Sequence, residues 1–203
     1  MDWSLYDARG RRKHLTTAER RRVLRAMLES EGSTSTFCAV MILTGARISE
    51  VLALTPERID GDHSAINFHT LKQGERVRTR AVPVPRGLIS RLQDVHCFRE
   101  AQIDPLKSGT PLWAWSRTTA WRRVKTVMRL ARIPPYLAHP HILRHTLATE
   151  AYDRDVPLET IQSLLGHVDI RTTEIYTHML TRRLRRLTAR TWLPITDVLS
   201  EML

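Results

Sequence analysis

The chain has 203 residues, of which 42% are hydrophobic, so it is long enough for one substantial domain with its own core. Its net charge is +11, and its 32 basic residues include only four lysines, Lys13, Lys72, Lys107 and Lys125. Arginine binds phosphate oxygens through paired N–H groups, so this charge favours a nucleic-acid partner over an acidic protein or a membrane. Charge alone also fits a basic protein that is merely kept soluble.

The cysteines and the chain start exclude other classes. Cys38 and Cys97 form no Cys-x-x-Cys pair, so the sequence indicates neither a zinc site nor a disulfide framework. The first residues contain no apolar signal-peptide region, and no later run has the length of a membrane span. We therefore expect a reducing, cytoplasmic setting associated with the nucleoid, and no membrane partner.

Apolar residues at helical spacing predict a series of helices. A capping-box pattern at residues 16–19 starts the first helix, Gly45 interrupts the most apolar stretch, and Thr118 or Thr119 caps a later helix in which Trp121 faces the core. The expected helices span residues 17–29, 36–43, 48–54, 88–95, 119–132, 142–152 and 158–165.

Two shorter runs predict a β-hairpin. Residues 65–69 and 77–84 are β-branched or alternate apolar with polar side chains, and Lys72 lies in the turn between them. A third edge strand fits residues 57–59 or a later segment. Together these elements predict a mostly α-helical fold with a small antiparallel β-sheet.

An arginine interrupts the most apolar part of the chain. In residues 44–50, Arg47 lies between two apolar helical runs, and Glu50 follows three positions later. A helix this apolar carries a guanidinium only if the charged head leaves the core for a cleft or meets another charge. The alternative is an intrahelical ion pair, worth a few tenths of a kcal/mol on an exposed face.

A second arginine lies at the start of a later helix. His141 and Arg144 are three positions apart, so both side chains can reach the same object. The helix start adds N–H groups and a positive dipole, which suit a phosphate. His139 and His145 could suggest a metal site, but no carboxylate lies nearby in the sequence to complete one, so we expect no metal ion.

Three further residues have two interpretations each. Lys72, on the predicted hairpin, is either a solvated amine or a flexible proton donor for a leaving oxygen. His167 follows a helix C-terminus and could cap it, and Tyr176 could be a half-buried aromatic residue. In a strongly basic chain, a phenol near an imidazole also suggests a nucleophile aimed at a phosphodiester.

Taken in order, these residues resemble the active site of the tyrosine recombinase, or phage integrase, family. Flanking residues 44–50, 141–145, 164–167 and 175–178 resemble the family as well, and the resemblance covers about residues 15–180. It implies the catalytic-domain fold that breaks and rejoins DNA. The six matching positions are Arg47, Lys72, His141, Arg144, His167 and Tyr176.

The resemblance implies a transesterification on DNA that needs no metal ion and no other cofactor. Tyr176 would attack the scissile phosphate, leaving a 3′-phosphotyrosyl link and a free 5′-hydroxyl. Arg47 and Arg144 would bind the non-bridging oxygens, whose charge increases in the transition state.

The remaining members have supporting roles in this scheme. Lys72 would act as the general acid for the leaving 5′ oxygen. His141 and His167 would bind phosphate oxygens and help to transfer the tyrosine proton. Glu50 would hold Arg47 or its helix.

The resemblance also implies DNA contacts and assembly. Double-stranded DNA would be the partner, with Arg122, Arg123 and Lys125 as phosphate or groove contacts, although a solvated basic face is the alternative. Residues 181–203, a basic helix and an apolar tail, resemble the segment that family members dock onto a neighbouring protomer. The tail could instead pack on its own protomer. We expect a homo-oligomer, a dimer on one site and a tetramer in synapsis.

The expected domains are a basic arm at residues 1–14, the catalytic domain at 15–180 and the C-terminal segment at 181–203. The arm is too short for the helical core-binding domain that most family members carry, so an accessory DNA-binding protein could supply site selection. The size resembles the short recombinases that invert fimbrial promoter switches, and a trimmed sequence is the other explanation.

Two other functions share part of this pattern. A type IB topoisomerase-like enzyme has the same chemistry but acts as a single molecule to relax supercoils. The recombinase-type residues around the motifs and the C-terminal tail argue against it. A DNA-binding regulatory protein could keep an unused site. We expect a site-specific recombinase of the kind that mobile elements use, and leave integration, excision and inversion open.

Overall fold

The computed structural model describes residues 6–70 and 78–166. The chain divides into two compact units, a larger one of residues 12–167 and a smaller one of residues 1–11 with 168–203. In the smaller unit, Asp7 closes a turn, because its Oδ1 accepts hydrogen bonds from the backbone N–H groups of Arg9 and Arg11 at 2.9 Å each. The described helices and strands belong to the larger unit.

The larger unit is mostly helical, as predicted. Its helices are α1 (Thr17–Leu28), α2 (Gly32–Thr44), α3 (Ile48–Leu52), α4 (Arg86–His96), α5 (Phe98–Ile103), α6 (Arg117–Leu130), α7 (Pro140–Asp153) and α8 (Leu158–Leu165). Its strands are β1 (Ile59–Asp60), β2 (Ala65–Thr70) and β3 (Arg78–Pro83), and a 3₁₀ turn spans Pro56–Arg58. The predicted fold class is confirmed.

Helix α1 begins at the predicted capping box. The Glu19 N–H donates to Thr16 Oγ1 at 3.3 Å, and the Glu19 carboxylate accepts from the Thr16 N–H at 2.8 Å. Both Glu19 oxygens also bind the Arg12 guanidinium, one of them at 2.6 Å. The hydrogen bonds from Arg12 are the main cause that lowers the pKa of Glu19 to about 2. Arg12 therefore ties the end of the basic arm to α1.

Helix α2 is the centre of the core. Phe37, Val40 and Ile42 are fully buried, and α1, α4, α6 and α7 pack around the helix. It begins at Gly32, four residues earlier than predicted, because Glu31 caps it by accepting a hydrogen bond from the Ser33 N–H at 3.1 Å. Residues 32–35, which lie between the first two predicted helices, instead form the first turn of α2.

Two hydroxyl groups buried on α2 bind the helix's own carbonyls. Thr36 Oγ1 donates to the Gly32 oxygen at 3.1 Å, and Thr44 Oγ1 donates to the Val40 oxygen at 2.6 Å. A buried hydroxyl without a partner costs about 1–3 kcal/mol. Because these bonds are made within the helix, Thr36 and Thr44 can be buried together with its apolar residues.

The sheet has the order β1-β2-β3, with both pairs antiparallel. Ile59 pairs with Ile66, and Ile66 pairs with Val82, so that buried residues lie side by side on one face. Strands β2 and β3 confirm the predicted hairpin, and β1 begins at the last residue of the segment suggested for a third strand. The hairpin turn with Lys72 lies outside the described residues.

Helices α5 and α6 also differ from the prediction. Helix α5 was not predicted, because Cys97, which separates it from α4, has φ 47° without being a glycine and so gives no turn signal in the sequence. Helix α6 begins after Ser116, whose Oγ accepts a hydrogen bond from the Thr119 N–H at 3.1 Å. The predicted caps Thr118 and Thr119 therefore lie inside the helix.

The predicted inward position of Trp121 is wrong. The side chain is 39% exposed, whereas the neighbouring Ala120 is fully buried. The ammonium of Lys125 lies 4.8 Å from the centre of the Trp121 ring, close enough for a cation–π contact. The core face of α6 is formed by Ala120, Val124, Val127 and Met128, and Trp121 lies at its edge.

Helices α7 and α8 follow the predicted positions. Helix α7 begins at Pro140, two residues before the predicted start, since a proline is favoured in the first turn, where its missing N–H is not needed. Helix α8 begins at Leu158, as predicted, and Pro157 is its N-cap residue. None of the helices in the described ranges combines the length and apolar character that crossing a membrane requires.

Replacing Glu19 by Gln should lower the free energy of unfolding by on the order of 1–2 kcal/mol at about pH 7, because it removes the ion pair with Arg12. The folded-state pKa is depressed, so the stabilisation is present above the ordinary pKa of 4.5 and is lost as the pH falls toward about 2. Urea unfolding of variant and wild type should therefore converge in acid. Glu29→Gln, at an exposed position, is the control, and a difference that stays constant with pH would contradict the expectation.

Candidate active site

The site is built at the C-terminal end of α2. Gly45 ends this helix with φ 63°, in the left-handed region that favours glycine. A Cβ atom added there would lie 2.6 Å from Leu165 Cδ2 and 3.0 Å from Leu147 Cδ2. The bare backbone of Gly45 therefore lets α2 end directly against α7 and α8. We call this point the Gly45 junction.

Arg144 of α7 joins the end of α2 to the end of α8. Its Nη1 donates to the Gly45 carbonyl and its Nη2 donates to the Leu165 carbonyl, both at 2.7 Å. The residue is only 1% exposed. Both acceptors lie at helix C-termini, which carry partial negative charge, so the helix dipoles offset part of the cost of burying the guanidinium. Arg144 is thus a cation held in a fixed orientation.

Arg47 stands two residues beyond Gly45, at the N-cap of α3. Its backbone N–H donates to Glu50 Oε2 at 2.7 Å, and its Nη1 donates to Glu50 Oε1 at 3.1 Å. The Arg47 side chain is 36% exposed, whereas that of Glu50 is 7% exposed. Both interpretations of the sequence therefore apply, because Arg47 pairs with Glu50 and still reaches the surface.

Arg80 of β3 is a member of this cluster that the sequence analysis missed. Its Nη1 and Nη2 donate to the two oxygens of Glu50 at 3.0 and 2.9 Å, and its Nε donates to the Leu164 carbonyl at 3.0 Å. Strand alternation puts Arg80 on the same face as the buried Val82. Since a cation on a core face needs a partner, that alternation was the signal that could have revealed it.

The protonation state of Glu50 follows from these contacts. Burial raises the pKa of Glu50, but the hydrogen bonds and charges of Arg80 and Arg47 lower it, and the net direction is down. The group is therefore a carboxylate at neutral pH, and it holds two guanidinium groups at once.

His141 and His145 lie on the first turns of α7. Burial, together with the charges of Arg144 and Arg47, lowers the pKa of His141 to about 4. The His145 ring meets the His141 ring edge-on at 4.5 Å between centres, and burial lowers its pKa to about 3. At neutral pH each ring is neutral and offers one N–H and one lone pair.

The structure brings Arg47, His141 and Arg144 together near the Gly45 junction. Arg144 binds the Gly45 carbonyl directly, and the charges of both arginines act on the His141 ring. The other predicted members, Lys72, His167 and Tyr176, lie outside the described residues. The catalytic roles of all six therefore stay predictions.

The basic face of α6 carries the three predicted DNA contacts. Arg122 and Lys125 are exposed. Arg123 is half-buried, because its Nη1 donates to Glu31 Oε2 at 2.9 Å and its guanidinium lies 4.5 Å from the centre of the Trp115 ring. Arg123 thus also ties α6 to the residue that caps α2.

Two guanidinium groups and a neutral imidazole suit a tetrahedral anion such as a phosphodiester. Guanidinium groups donate paired, charge-assisted hydrogen bonds to phosphate oxygens. Because Arg144 and Arg47 are held by other groups before any anion arrives, they could stabilise charge that develops during a reaction. Within the described part of the chain, no three His, Cys, Asp or Glu side chains are grouped as the ligands of a metal ion would be.

Gly45→Ala should lower the free energy of unfolding by roughly 2–4 kcal/mol, because it combines left-handed strain with a clash against Leu165 and Leu147. Gly87→Ala is the matched control, since no atom lies within 4 Å of a Cβ added there. That change, in α4, should be neutral or stabilising by up to about 1 kcal/mol. Equal effects of the two substitutions in chemical denaturation would contradict the close packing at the junction.

The half-buried His141 and the buried His145 should make the protein less stable in mild acid. As the pH falls below about 6.5, the unfolded chain binds protons that folded His141 and His145 do not take up until their pKa values of about 4 and 3. The free energy of unfolding should therefore decline from about pH 6.5 toward pH 4. His141→Gln and His145→Gln should each flatten this decline in unfolding experiments, and an unchanged slope in both variants would contradict the burial of neutral rings.

Comparison with curated proteins finds related recombinases. The phage integrase family profile matches residues 13–183. The tyrosine recombinase XerD of Pseudomonas aeruginosa is 33% identical over 164 residues, covering 76% of the chain and 52% of that protein. XerD of Yersinia pestis is 31% identical over 154 residues, covering 73% of the chain and 50% of that protein. The chain thus spans about half the length of these relatives.

Solved structures show the same fold. The crystal structure of XerA recombinase superposes with a TM-score of 0.69 at 25% identity, covering 88% of this chain and 64% of that chain. XerH site-specific recombinase bound to its difH substrate superposes with a TM-score of 0.68 at 23% identity, covering 85% and 52%. The predicted resemblance is thereby confirmed, and the chain belongs to the phage integrase family.

Proposed function

We propose that the chain is the catalytic part of a tyrosine-type site-specific DNA recombinase. The observation that carries the proposal is the Gly45 junction, where Arg144 and Arg47 are fixed by protein acceptors next to a neutral His141. Cations fixed in advance favour a transition state in which phosphate oxygens gain charge. The kinship with XerD supports the same chemistry.

In the proposed step, the Tyr176 oxygen forms a bond to the scissile phosphorus while the bond from phosphorus to the 5′ oxygen breaks. The phenol proton passes to a neighbouring imidazole, and Lys72 gives a proton to the leaving 5′ oxygen. Arg47 and Arg144 bind the non-bridging oxygens throughout. Because one ester replaces another, the reverse reaction reseals the strand without a cofactor.

The assignments of Lys72, His167 and Tyr176 rest on motif order. The family profile covers residues 13–183 and so includes all three positions. His141 is neutral at neutral pH, so its N–H can donate to a phosphate oxygen while His167 shares the handling of the tyrosine proton. Loss of one fixed donor of this kind typically lowers the rate by about 10²–10³-fold.

Double-stranded DNA is the proposed substrate. The net charge of +11 and the exposed basic face of α6 with Arg122, Arg123 and Lys125 support it, as does the DNA-bound state of the XerH structure. We keep residues 15–180 as the catalytic domain, with a dimer on one site, a tetramer in synapsis and residues 181–203 as the exchanged segment. An accessory DNA-binding protein and a nucleoid location complete the proposal.

Strand exchange is favoured over topoisomerase activity. The relatives and structures described above are recombinases, and the recombinase-type motifs around Arg47 and Tyr176 agree with them. A synaptic complex that holds two duplexes would distinguish the two activities, because a topoisomerase acts on a single duplex.

Wild-type protein mixed with sheared genomic DNA of its source organism should yield covalent adducts that survive denaturation, and sequencing of the captured DNA should return a common site. Tyr176→Phe should yield none, because it removes the oxygen that bonds to phosphorus. Tyr136→Phe, which removes an oxygen from another tyrosine, is the control and should give the wild-type yield. Equal adducts from Tyr176→Phe, or none from wild type, would contradict the proposal.

A further inference from the structure

Arg80 is not one of the six predicted catalytic residues. It nevertheless contacts α3, whose N-cap is Arg47, and the end of α8, which is followed in the sequence by His167. From β3 it binds Glu50 of α3 and the Leu164 carbonyl at the end of α8. We infer that Arg80 is a positioning residue, which fixes Arg47 through Glu50 and also fixes the end of α8. The inference rests on the proposed function, since it concerns the geometry of that reaction.

Glu50 is the link between Arg80 and Arg47. Its Oε1 accepts from Arg80 Nη1 at 3.0 Å and from Arg47 Nη1 at 3.1 Å. Its Oε2 accepts from Arg80 Nη2 at 2.9 Å and from the Arg47 backbone N–H at 2.7 Å. Each carboxylate oxygen thus accepts one bond from each arginine. Because Arg80 binds both oxygens through two different nitrogens, it restricts the rotation of the carboxylate that Arg47 meets.

The burial of the pair indicates a geometric role more than a stabilising one. The side chains of Arg80 and Glu50 are 9% and 7% exposed. For such a pair, the desolvation of both charges cancels much of their attraction, so the net gain in stability is small. The guanidinium of Arg80 also lies 5.0 Å from the centre of the Phe68 ring, which limits its movement on another side. What this arrangement supplies is a single orientation of Glu50.

The contact with α8 extends the same role to the far side of the site. Arg80 binds the Leu164 carbonyl and Arg144 binds the Leu165 carbonyl, so two arginines hold consecutive acceptors in the last turn of α8. Gly166 follows with φ 67°, and a Cβ added there would lie 2.8 Å from Arg80 Nη1. The next residue in the sequence is His167, a predicted phosphate ligand. Arg80 therefore fixes the point from which the chain continues to His167.

The test replaces Arg80 by Met, which keeps the length of the side chain and removes its charge. Single-turnover adduct formation by the full chain is measured on the genomic duplexes that the wild type captures covalently. The rate should fall about 10²-fold, the usual effect of displacing a catalytic group by about 1 Å. Affinity for the same duplexes should change little, because Arg80 is buried. A wild-type rate in Arg80→Met would overturn the inference.

The pH profile separates positioning from a loss of folded protein. Two charged residues in the described part of the chain lower the Glu50 pKa, Arg47 at the N-cap of the same helix and Arg80 on β3. Without Arg80, Arg47 is the one of the two that still opposes the burial that raises this pKa. Adduct formation by Arg80→Met should therefore fall more steeply with decreasing pH than that of the wild type. A smaller folded fraction would lower the amplitude without changing the pH dependence of the rate constant, and such a result would overturn the inference.

Three further variants complete the test. Arg91→Met makes the same change at an exposed position of α4 and should keep the wild-type rate. Arg80→Lys keeps the charge but loses the paired bonds, so its rate should lie between those of wild type and Arg80→Met. In a Glu50→Gln background, Arg80→Met should slow the reaction by much less than the about 10²-fold loss expected in the wild-type background, because Arg80 acts on Arg47 through Glu50 and only its contact with α8 is left to lose. If the losses of rate in the two single variants simply added up in the double variant, Arg80 would not act on Arg47 through Glu50, and the inference would be overturned.

A measurement without DNA distinguishes this inference from the proposed function. The carboxyl ¹³C resonance of Glu50 should titrate at higher pH in Arg80→Met than in the wild type. If the wild type forms no adduct but the titration of Glu50 moves to higher pH in Arg80→Met, the proposed function is wrong, and the contact by which Arg80 orients Glu50 is supported. If adducts form and the titration is unchanged, the proposed function stands and the inference fails.

Discussion

The structure depends on one buried cation that meets two helix ends. Arg144 is placed where the carbonyls of Gly45 and Leu165 would otherwise lack helical partners, so a charge that is costly to bury satisfies acceptors that are also costly to bury. The two helices can end side by side because glycine backbone follows each of them. Removing the Arg144 guanidinium would take away the hydrogen bonds that the Gly45 and Leu165 carbonyls accept from it.

A second shared charge, Glu50, organises the opposite side of the same junction. It is ionised although nearly buried, because Arg47 and Arg80 supply hydrogen bonds from two different elements. Only Arg47 in this group has a substantially exposed side chain. The Arg47 guanidinium therefore reaches the solvent while the Glu50 and Arg80 side chains that orient it are nearly buried. Such an arrangement suits a cation that has to keep its position when an anion binds.

The sequence predicted what depends on local chemistry. The helix caps at Thr16, the end of α2 at Gly45 and the pairing of Arg47 with Glu50 follow from spacing of a few residues, and the structure has them all. It could not predict contacts between distant segments, such as the bonds of Arg80 to α3 and α8, because strand register had to be known first. Turns made by residues other than glycine, such as Cys97, also left no signal.

The burial of α2 has a consequence for measurement. Because most of the helix is buried and the hydroxyls of Thr36 and Thr44 are bonded within it, we expect its amides to exchange with water when the larger unit opens as a whole. Hydrogen exchange at Val40 and Ile42 would therefore report global stability, independently of any local motion near the site. Arg47, three residues beyond the end of α2, therefore follows directly on a helix that is almost entirely buried.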